Sequence, residues 1–183
     1  MTETGSGANE YGRNNTSDSS HRVFLGIGSN IGDRLVFLRD ATQGLAGHLS
    51  RLNASPVYET APMYLSDQPP FLNAVIEGYF TGSPHELLAI CNTIESKLGR
   101  NRKQEVPKGP RSLDIDILLF GDLLLQAPHL EIPHPGLLER AFVLAPLLAI
   151  APELEHPRYK RPIAELVQID LSEGIYRQEH ILV

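Results

Sequence analysis

The sequence contains no tryptophan and only one cysteine among its 183 residues. That cysteine, Cys91, cannot form an intramolecular disulfide, and its isolation fits a reducing compartment. No apolar run is long enough to span a membrane, and the N-terminal residues lack the apolar stretch of a secretory signal. Together these absences predict a cytoplasmic domain.

Valine, isoleucine, leucine and phenylalanine are all absent from residues 1–21. A stretch of this composition buries too little apolar surface to offset the entropy lost on ordering. We therefore expect a disordered N-terminal tail over 1–21 and a single folded domain over 22–183. The overall composition, 42% hydrophobic and 21% charged, suits one globular domain of this length.

The sequence motifs of several common enzyme classes are also missing. The chain has no G-x-x-x-x-G-K-[ST], no H-E-x-x-H, no cysteine cluster and no G-x-S-x-G. The segment GIGSNIG, residues 26–32, has one residue too many between its last two glycines for the dinucleotide-binding fingerprint. These absences argue against P-loop, zinc-protease and hydrolase chemistry, and they leave no obvious centre for nucleophilic catalysis.

Charge is distributed unevenly along the chain. The formal net charge of −6 argues against general affinity for nucleic acid. Residues 100–111 nevertheless contain five cationic side chains, which only Glu105 opposes. The five are Arg100, Arg102, Lys103, Lys108 and Arg111. A basic segment in an acidic chain indicates a small polyanionic ligand, and the alternative is a solvated loop.

Hydrophobic periodicity predicts elements in the order β-α-β-β-α-β. The second helix, over residues 83–98, has a start signal in which Ser83 is the N-cap and Glu86 completes a capping box. This order predicts an α+β fold of the ferredoxin-like, split βαβ type: a four-stranded antiparallel sheet with both helices on one face. A C-terminal hairpin over 121–135 and helices, interrupted at Pro146 and Pro152, are expected to follow. The predicted strands are 22–30, 52–60, 71–80 and the segment that contains Asp114 and Asp116.

Two carboxylates, Asp114 and Asp116, interrupt the otherwise apolar segment GPRSLDIDILLFG, residues 109–121. In a strand they share one face, while Ile115 and its neighbours point the other way into the core. Paired carboxylates at the mouth of a cleft suit one or two Mg²⁺ ions, which take their other ligands from water and phosphate. The alternative is that the aspartates pair with Arg111 or nearby lysines.

Two further clusters have the composition of a nucleotide and heterocycle site. His134 and Arg140 offer donors to an ATP phosphate, although His134 is also typical of a turn beside two prolines. Phe71 and Asn73 share a strand face and place an aromatic ring beside an amide, and Phe142 is a candidate for the other side of a flat heterocycle. The alternative is that both phenylalanines belong to the core.

The motifs, in their order, resemble one enzyme family. GIGSNIGD, YETAP, DQPPFLNAV, IESKLGRNR, GPRSLDIDILLFG, IPHP, ERAFVLAPL and IAPEL follow one another between residue 23 and about residue 167. This series is similar to the 6-hydroxymethyl-7,8-dihydropterin pyrophosphokinases of folate biosynthesis, and 109–121 is its most specific part. The resemblance implies transfer of pyrophosphate from ATP to the pterin hydroxymethyl oxygen, with AMP as the other product.

The resemblance also implies roles for individual positions. Asp114 and Asp116 would hold two Mg²⁺ ions with ATP, and together with Arg100 and Arg111 they would be the catalytic residues. The implied ATP-binding residues are Asn92, Glu95, Arg102, Lys103, Ile117, His134 and Arg140. The implied pterin-binding residues are Thr60, Ala61, Met63, Phe71, Asn73 and Phe142. Lys108 stands where the family often has an aromatic residue. A monomer is expected, with a functional link to dihydropteroate synthase.

Two other functional classes have some of the same sequence features. An RNA-binding split βαβ module needs exposed aromatics and a basic face, and this chain has neither an RNP-like run nor a positive net charge. A nucleotidyltransferase also uses paired aspartates with Mg²⁺, but it releases pyrophosphate rather than AMP. The product therefore distinguishes the two enzyme hypotheses.

Overall fold

The computed structural model describes residues 20–63, 67–101 and 109–183. The strands in these ranges are β1 (Ser20–Ser29), β2 (Ser50–Ala54), β3 (Tyr58–Thr60), β4 (Phe71–Thr81), β5 (Asp114–Phe120), β6 (Leu125–Ala127), β7 (Leu130–Ile132), β8 (Glu155–His156), β9 (Arg161–Pro162) and β10 (Ile175–Arg177). The helices are α1 (Arg34–Ala46), α2 (Pro84–Lys97), α3 (Ala141–Ile150) and α4 (Ile163–Leu166). None of these described helices has the length and apolar character needed to cross a membrane.

Six strands form one antiparallel sheet. Five of them lie in the order β10-β3-β4-β1-β5, and β2 pairs with the C-terminal half of β4. The longest pairing joins β1 to β4, from Ser20 opposite Thr81 to Ser29 opposite Leu72. Helices on an antiparallel sheet confirm the mixed α and β class, but the sheet has six strands where four were predicted.

The extra strands arise from a divided second strand and an added edge strand. The predicted strand 52–60 breaks at Pro56, which has no N–H to give to the ladder. Ser55 fills the gap, because its hydroxyl accepts a hydrogen bond of 2.9 Å from the N–H of Val75. The sequence pattern did not predict β10, whose three residues pair with β3.

Apolar clusters cover both faces of the sheet. One cluster packs α1 and α2 against strand residues that include Ile115, and the other packs α3 against Phe24 and Leu118. Because strand side chains alternate between faces, Asp114 and Asp116 lie on the face that carries α3. The predicted division of β5 into a core-facing and a carboxylate-facing side is therefore confirmed.

Helix boundaries follow the capping chemistry of the sequence. Asp33 caps α1 by accepting a hydrogen bond of 3.2 Å from the N–H of Val36. At α2 the predicted capping box is present: the N–H of Glu86 donates to the Ser83 hydroxyl at 3.2 Å, and the N–H of Ser83 donates to the Glu86 carboxylate at 2.6 Å. This reciprocal cap fixes the start of the helix that carries Glu95.

The predicted interruption of the third helix at Pro146 is wrong. Helix α3 runs through this proline and ends at Ile150, before Pro152. Val143, Leu144 and Leu147 are buried against the sheet, and this packing outweighs the one backbone hydrogen bond that a proline removes. The predicted hairpin over 121–135 is present as β6 and β7.

The predicted N-terminal tail falls almost wholly outside the described residues. Of residues 1–21, the structure describes only Ser20 and His21, which pair with Thr81 and Phe80 at the start of β1. The predicted tail and the predicted domain boundary otherwise remain predictions.

Candidate active site

A cavity of about 290 Å³ lies where β1 and β3 end and β4 and β5 begin. Antiparallel neighbours bring these strand ends together at one end of the sheet, on the face that carries α3. Twelve of the predicted site residues line this cavity: Thr60, Ala61, Met63, Phe71, Asn73, Arg100, Arg111, Asp114, Asp116, His134, Arg140 and Phe142. The structure thus brings together residues from segments that are up to 82 positions apart in the chain.

Asp114 sits between two arginines. The Arg100 guanidinium is hydrogen-bonded to one carboxylate oxygen, and an Arg111 nitrogen lies 2.9 Å from the other. The cations that the paired aspartates require are therefore supplied by the chain itself in this structure. Pairing with Arg111, which the sequence left open as the alternative to metal binding, occurs here at Asp114.

The Glu95 carboxylate forms a salt bridge with the Arg100 guanidinium and fixes its position. This carboxylate is only 1% exposed, lies 2.5 Å from the guanidinium, and also accepts the N–H of Ile115 at 2.8 Å. It therefore connects α2 to the start of β5, the strand that carries both aspartates. Glu95 is not among the residues that line the cavity, and its contacts orient Arg100. Its predicted contact with ATP remains a prediction.

The charge of Asp116 is less well compensated than that of Asp114. Arg140 and His134 approach its carboxylate only to 3.6 and 3.8 Å. Burial, followed by the charge of Asp114, raises the pKa of Asp116 to about 6, although Arg140 and Arg111 act in the opposite direction. A carboxylate whose charge is this poorly balanced favours the binding of a cation.

His134 is held in one tautomer. Its Nδ1 accepts a hydrogen bond of 3.0 Å from the N–H of Gly136, which leaves Nε2 to carry the proton and to face Asp116. Burial and the neighbouring Arg140 lower the pKa of His134 to about 4. Near neutral pH the ring is therefore an uncharged donor aimed into the cavity.

Another part of the cavity wall presents aromatic rings and an amide. The Arg111 guanidinium lies 5.2 Å from the centre of the Phe71 ring, and the Arg140 guanidinium lies 5.9 Å from that of Phe142. These cation–π contacts join the aromatic residues to the charged residues of the site. Both rings are half-buried and line the cavity, so they are not enclosed core residues.

The amide of Asn73 is fixed by its surroundings. Its nitrogen donates to the Thr60 hydroxyl at 2.8 Å. Its oxygen lies 2.7 Å from the place that a side-chain carbon on Gly28 would occupy. Gly28 therefore allows the amide to approach β1 closely, which explains why this position of the strand needs glycine.

Asn30 joins the two halves of the site. Its side-chain nitrogen donates to Gln68 and to the Pro69 carbonyl at 3.0 and 3.1 Å, and its oxygen accepts the N–H of Arg111 at 2.8 Å. It is 1% exposed. The segment before Phe71 is thereby fixed to the backbone of Arg111. Only long-range contacts assign this role, so no local pattern predicts it.

Five predicted residues are not among those that line the cavity in the described structure. Ile117 is buried in the apolar cluster beneath α1 and α2, and Asn92 lies on α2. Glu95 also lies on α2, where it contacts Arg100 and the N–H of Ile115. Arg102 and Lys103 lie outside the described residues, as does Lys108. The predicted backbone contact from Ile117 and the nucleotide contact of Asn92 remain predictions.

Cavity residues that no sequence pattern predicted are mostly small or apolar. Gly26, Gly28, Gln68 and Val143 belong to this group. Gly26 faces Leu118, whose side chain lies 3.4 Å from the place of an added carbon. Such residues shape the wall through packing, and their side chains carry no chemical signal in the sequence.

The described part of the cavity wall offers a metal ion two carboxylates. Asp114 and Asp116 are residues i and i+2 of β5 and share its face. The described residues contain no group of three or more His, Cys, Asp and Glu side chains that could hold a metal ion. Hard oxygen donors in this number fit Mg²⁺, which binds through one or two carboxylates together with water and substrate phosphates.

The raised pKa of Asp116 predicts a stability effect. Because the folded state binds the proton more tightly than the unfolded state, stability falls as pH rises through about 4 to 6. We expect Asp116→Asn to raise the free energy of unfolding at pH 7 by about 1 kcal/mol, a value reduced for solvent screening. The side chain is 36% exposed. Urea unfolding without divalent metal, at pH 3.5 and at pH 7, checks this: the gain should be absent at the lower pH, and equal effects at both would contradict it.

The sequence model of the family described as 7,8-dihydro-6-hydroxymethylpterin-pyrophosphokinase (HPPK) matches residues 24–152. This match covers more than half of the chain and includes the cavity residues. The chain belongs to this family. Among HPPK relatives, the 2-amino-4-hydroxy-6-hydroxymethyldihydropteridine pyrophosphokinase of Aquifex aeolicus is 39% identical over 143 residues, which are 78% of this chain and 88% of that protein.

Longer relatives also contain an HPPK-like region. The Folic acid synthesis protein fol1 of Schizosaccharomyces pombe is 44% identical over 155 residues, covering 84% of this chain and 21% of that protein. The Folate synthesis bifunctional protein, mitochondrial, of Arabidopsis thaliana is 44% identical over 131 residues, which are 23% of its length. The chain thus spans about a fifth of the length of these curated relatives.

Solved structures support the same fold. The crystal structure of Plasmodium falciparum HPPK-DHPS wild type superposes with a TM-score of 0.65 at 16% identity, covering 88% of this chain and 49% of that one. At this identity the similarity concerns the fold alone.

Proposed function

We propose that this chain transfers the pyrophosphoryl group of ATP to 6-hydroxymethyl-7,8-dihydropterin, giving AMP and the pterin diphosphate in folate biosynthesis. The observation that carries the proposal is the composition of one cavity. It joins an aromatic and amide wall, which includes Phe71 and Asn73, to a wall of two aspartates and several cations. Membership of the HPPK family supports the same reaction.

The aromatic and amide wall suits the pterin. Phe71 and Phe142 offer flat apolar surfaces, and Asn73 with Thr60 offers the polar edge that a heterocycle with several donors and acceptors requires. Because the amide is fixed by Thr60 and Gly28, binding does not have to order it. Ala61 and Met63 extend this wall toward the opening.

The aspartate wall suits the polyphosphate. Asp114 and Asp116 would hold two Mg²⁺ ions. When bound, these ions would neutralise part of the negative charge of the phosphates. Arg100 and Arg111 then face both the aspartates and the transferred group, whose charge they balance. Within the described part of the chain, the buried Nε atoms of Arg111 and Arg140 have no hydrogen-bond acceptor, so the protein does not satisfy all the donors of these two cavity-lining side chains.

His134 contributes a hydrogen bond without adding charge. Its lowered pKa keeps the ring neutral, and the Gly136 N–H directs the remaining ring proton into the cavity. This geometry fits a donor to an ATP phosphate. No residue has to form a covalent bond with the substrate, because positioning and electrostatic stabilisation suffice for phosphoryl transfer.

The proposal also includes the topology of the fold, a link to a second enzyme, the oligomeric state and the location in the cell. Counting β2 and β3 as one divided strand leaves the order β3-β4-β1-β5, which supports a ferredoxin-like split βαβ core extended by β10. The P. falciparum structure whose name joins HPPK to DHPS supports a functional link to dihydropteroate synthase. A monomer in the cytoplasm remains a prediction, and the name of one plant relative includes the word mitochondrial.

Product analysis tests the proposed reaction against its main rival. The protein is incubated with ATP and Mg²⁺, with and without 6-hydroxymethyl-7,8-dihydropterin, and nucleotides and phosphates are separated. We expect AMP to form only when the pterin is present. Release of pyrophosphate would instead indicate a nucleotidyltransferase, and release of ADP would indicate transfer of a single phosphoryl group.

Gly28→Ala is expected to weaken pterin binding selectively. The added carbon would lie 2.7 Å from the Asn73 oxygen, so the amide must move and lose its bond to Thr60. We expect the KM for the pterin to rise about tenfold, as for loss of a buried hydrogen bond, with the KM for ATP little changed. Gly47→Ala is the matched control: Gly47 is exposed, has a φ of −71°, and offers the added carbon a nearest contact of 3.5 Å. Equal pterin KM values for the two variants would contradict this assignment.

A further inference from the structure

The C-terminal strand β10 lies at one edge of the sheet. Among the described residues it pairs with β3 alone, with Ile175 opposite Thr60 and Arg177 opposite Tyr58. The pairing continues beyond the strand, because the N–H of Gln178 donates to the Val57 carbonyl at 2.8 Å. Leu182 then packs against the core cluster beneath α1 and α2. Before the strand, Leu171 packs against the cluster beneath α3, so the segment is anchored on both sides of its contact with β3.

The position of strand β3 depends strongly on its pairing with β10, because β3 is short. It has three residues, begins two positions after Pro56, and lies between β4 and β10. Its last residue, Thr60, is 4% exposed and accepts the hydrogen bond from Asn73. Without β10, the strand that carries Thr60 would be a three-residue sheet edge, held from one side only.

The effect of β10 is confined to one half of the cavity by the strand order. The two aspartates stand on β5 at the opposite edge of the sheet, with β3, β4 and β1 between them and β10. Arg100 and His134 likewise lie beside β5, as their contacts with Asp114 and Leu118 show. The pairing of β10 with β3 therefore stabilises the part of the cavity wall that contains Thr60, and not the part that contains the aspartates.

The segment also lies outside the family match, which ends at residue 152. We propose that β10 is a positioning element for the pterin, supplied by the C-terminal segment of this chain, which fixes Thr60 and through it Asn73. The inference rests on the proposed function, because it assigns the pterin to this wall. It adds a determinant of substrate affinity that touches no substrate.

Proline substitutions in the full chain test this proposal with a matched pair. Donors alternate along an antiparallel strand, so the N–H of Tyr176 faces β3 as that of Gln178 does, while the N–H of Arg177 faces away. Tyr176→Pro should break the pairing, and Arg177→Pro, on the neighbouring exposed residue, should retain it. Dissociation constants are measured by calorimetry for the pterin and for an ATP analogue that cannot be cleaved.

We expect Tyr176→Pro to raise the pterin dissociation constant about fivefold, as for loss of one or two backbone hydrogen bonds. The ATP-analogue constant should stay within about twofold, and Arg177→Pro should match the unchanged protein in both. Equal pterin constants for the two variants would overturn the proposal, and so would a joint rise for both ligands. If Tyr176→Pro does not fold, Gln178→Pro replaces it with the same expectations. Failure of the unchanged protein to bind pterin would refute the proposed function itself, which separates the two failures.

Discussion

Asp116→Asn is expected to lower kcat/KM by about a thousandfold while the protein stays folded. Asparagine keeps the shape of the side chain but removes a charge that would hold Mg²⁺ beside the phosphates. The same variant is expected to be more stable than the unchanged protein at pH 7 without metal, because the raised pKa of Asp116 reports an unfavourable buried charge. Loss of activity together with a gain in stability is typical of a charge that is kept for function.

Steady-state kinetics with AMP as the measured product tests this prediction. Asp122→Asn is the matched control, because Asp122 is 88% exposed and its closest cation, Lys160, is 3.7 Å away. This control should keep its rate and its stability. Full activity of the folded Asp116→Asn variant would refute the role of Asp116 in metal binding.

Arg100→Met is expected to lower the free energy of unfolding by about 3 kcal/mol, in addition to lowering activity. The arginine is 8% exposed and pairs with Glu95, which is 1% exposed, and with Asp114. Removing it leaves two carboxylates without this cation in a region of low dielectric. Chemical denaturation checks the loss of stability.

A second substitution separates the structural role of Arg100 from its chemical role. Adding Glu95→Gln to Arg100→Met removes the buried negative charge and should restore part of the stability without restoring activity. Arg161→Met is the surface control: Arg161 and Glu165 are 58% and 57% exposed at 3.2 Å, so its loss should cost less than about 0.5 kcal/mol. Equal losses for Arg100→Met and Arg161→Met would contradict the buried network.

The charged half of the site is predictable from the sequence because its signals are local. Asp114 and Asp116 are two residues apart in an apolar segment, and their shared face follows from strand geometry alone. The capping box at Ser83 is equally local and is present at α2. Such features depend on spacing along the chain, which the sequence displays directly.

Features that depend on distant contacts were not predictable in this way. Asn30 forms hydrogen bonds with Gln68 and Arg111, which are 38 and 81 positions away in the sequence. Its role in joining these two segments is therefore visible only in the folded chain. The pairing of β10 with β3 joins short segments of weak periodicity, and Pro146 is accommodated because tertiary packing offsets its local cost. The family resemblance supplied the pterin contacts, which the aromatic residues alone left open.

The central claim is that ATP's pyrophosphoryl group passes intact to the pterin, and isotope transfer tests it most directly. Two parallel reactions use ATP labelled at the β-phosphorus or at the γ-phosphorus, each with Mg²⁺ and 6-hydroxymethyl-7,8-dihydropterin. The account predicts that both labels appear in the pterin product and that AMP is unlabelled. Transfer of the γ label alone, or of neither label by folded protein, would contradict it.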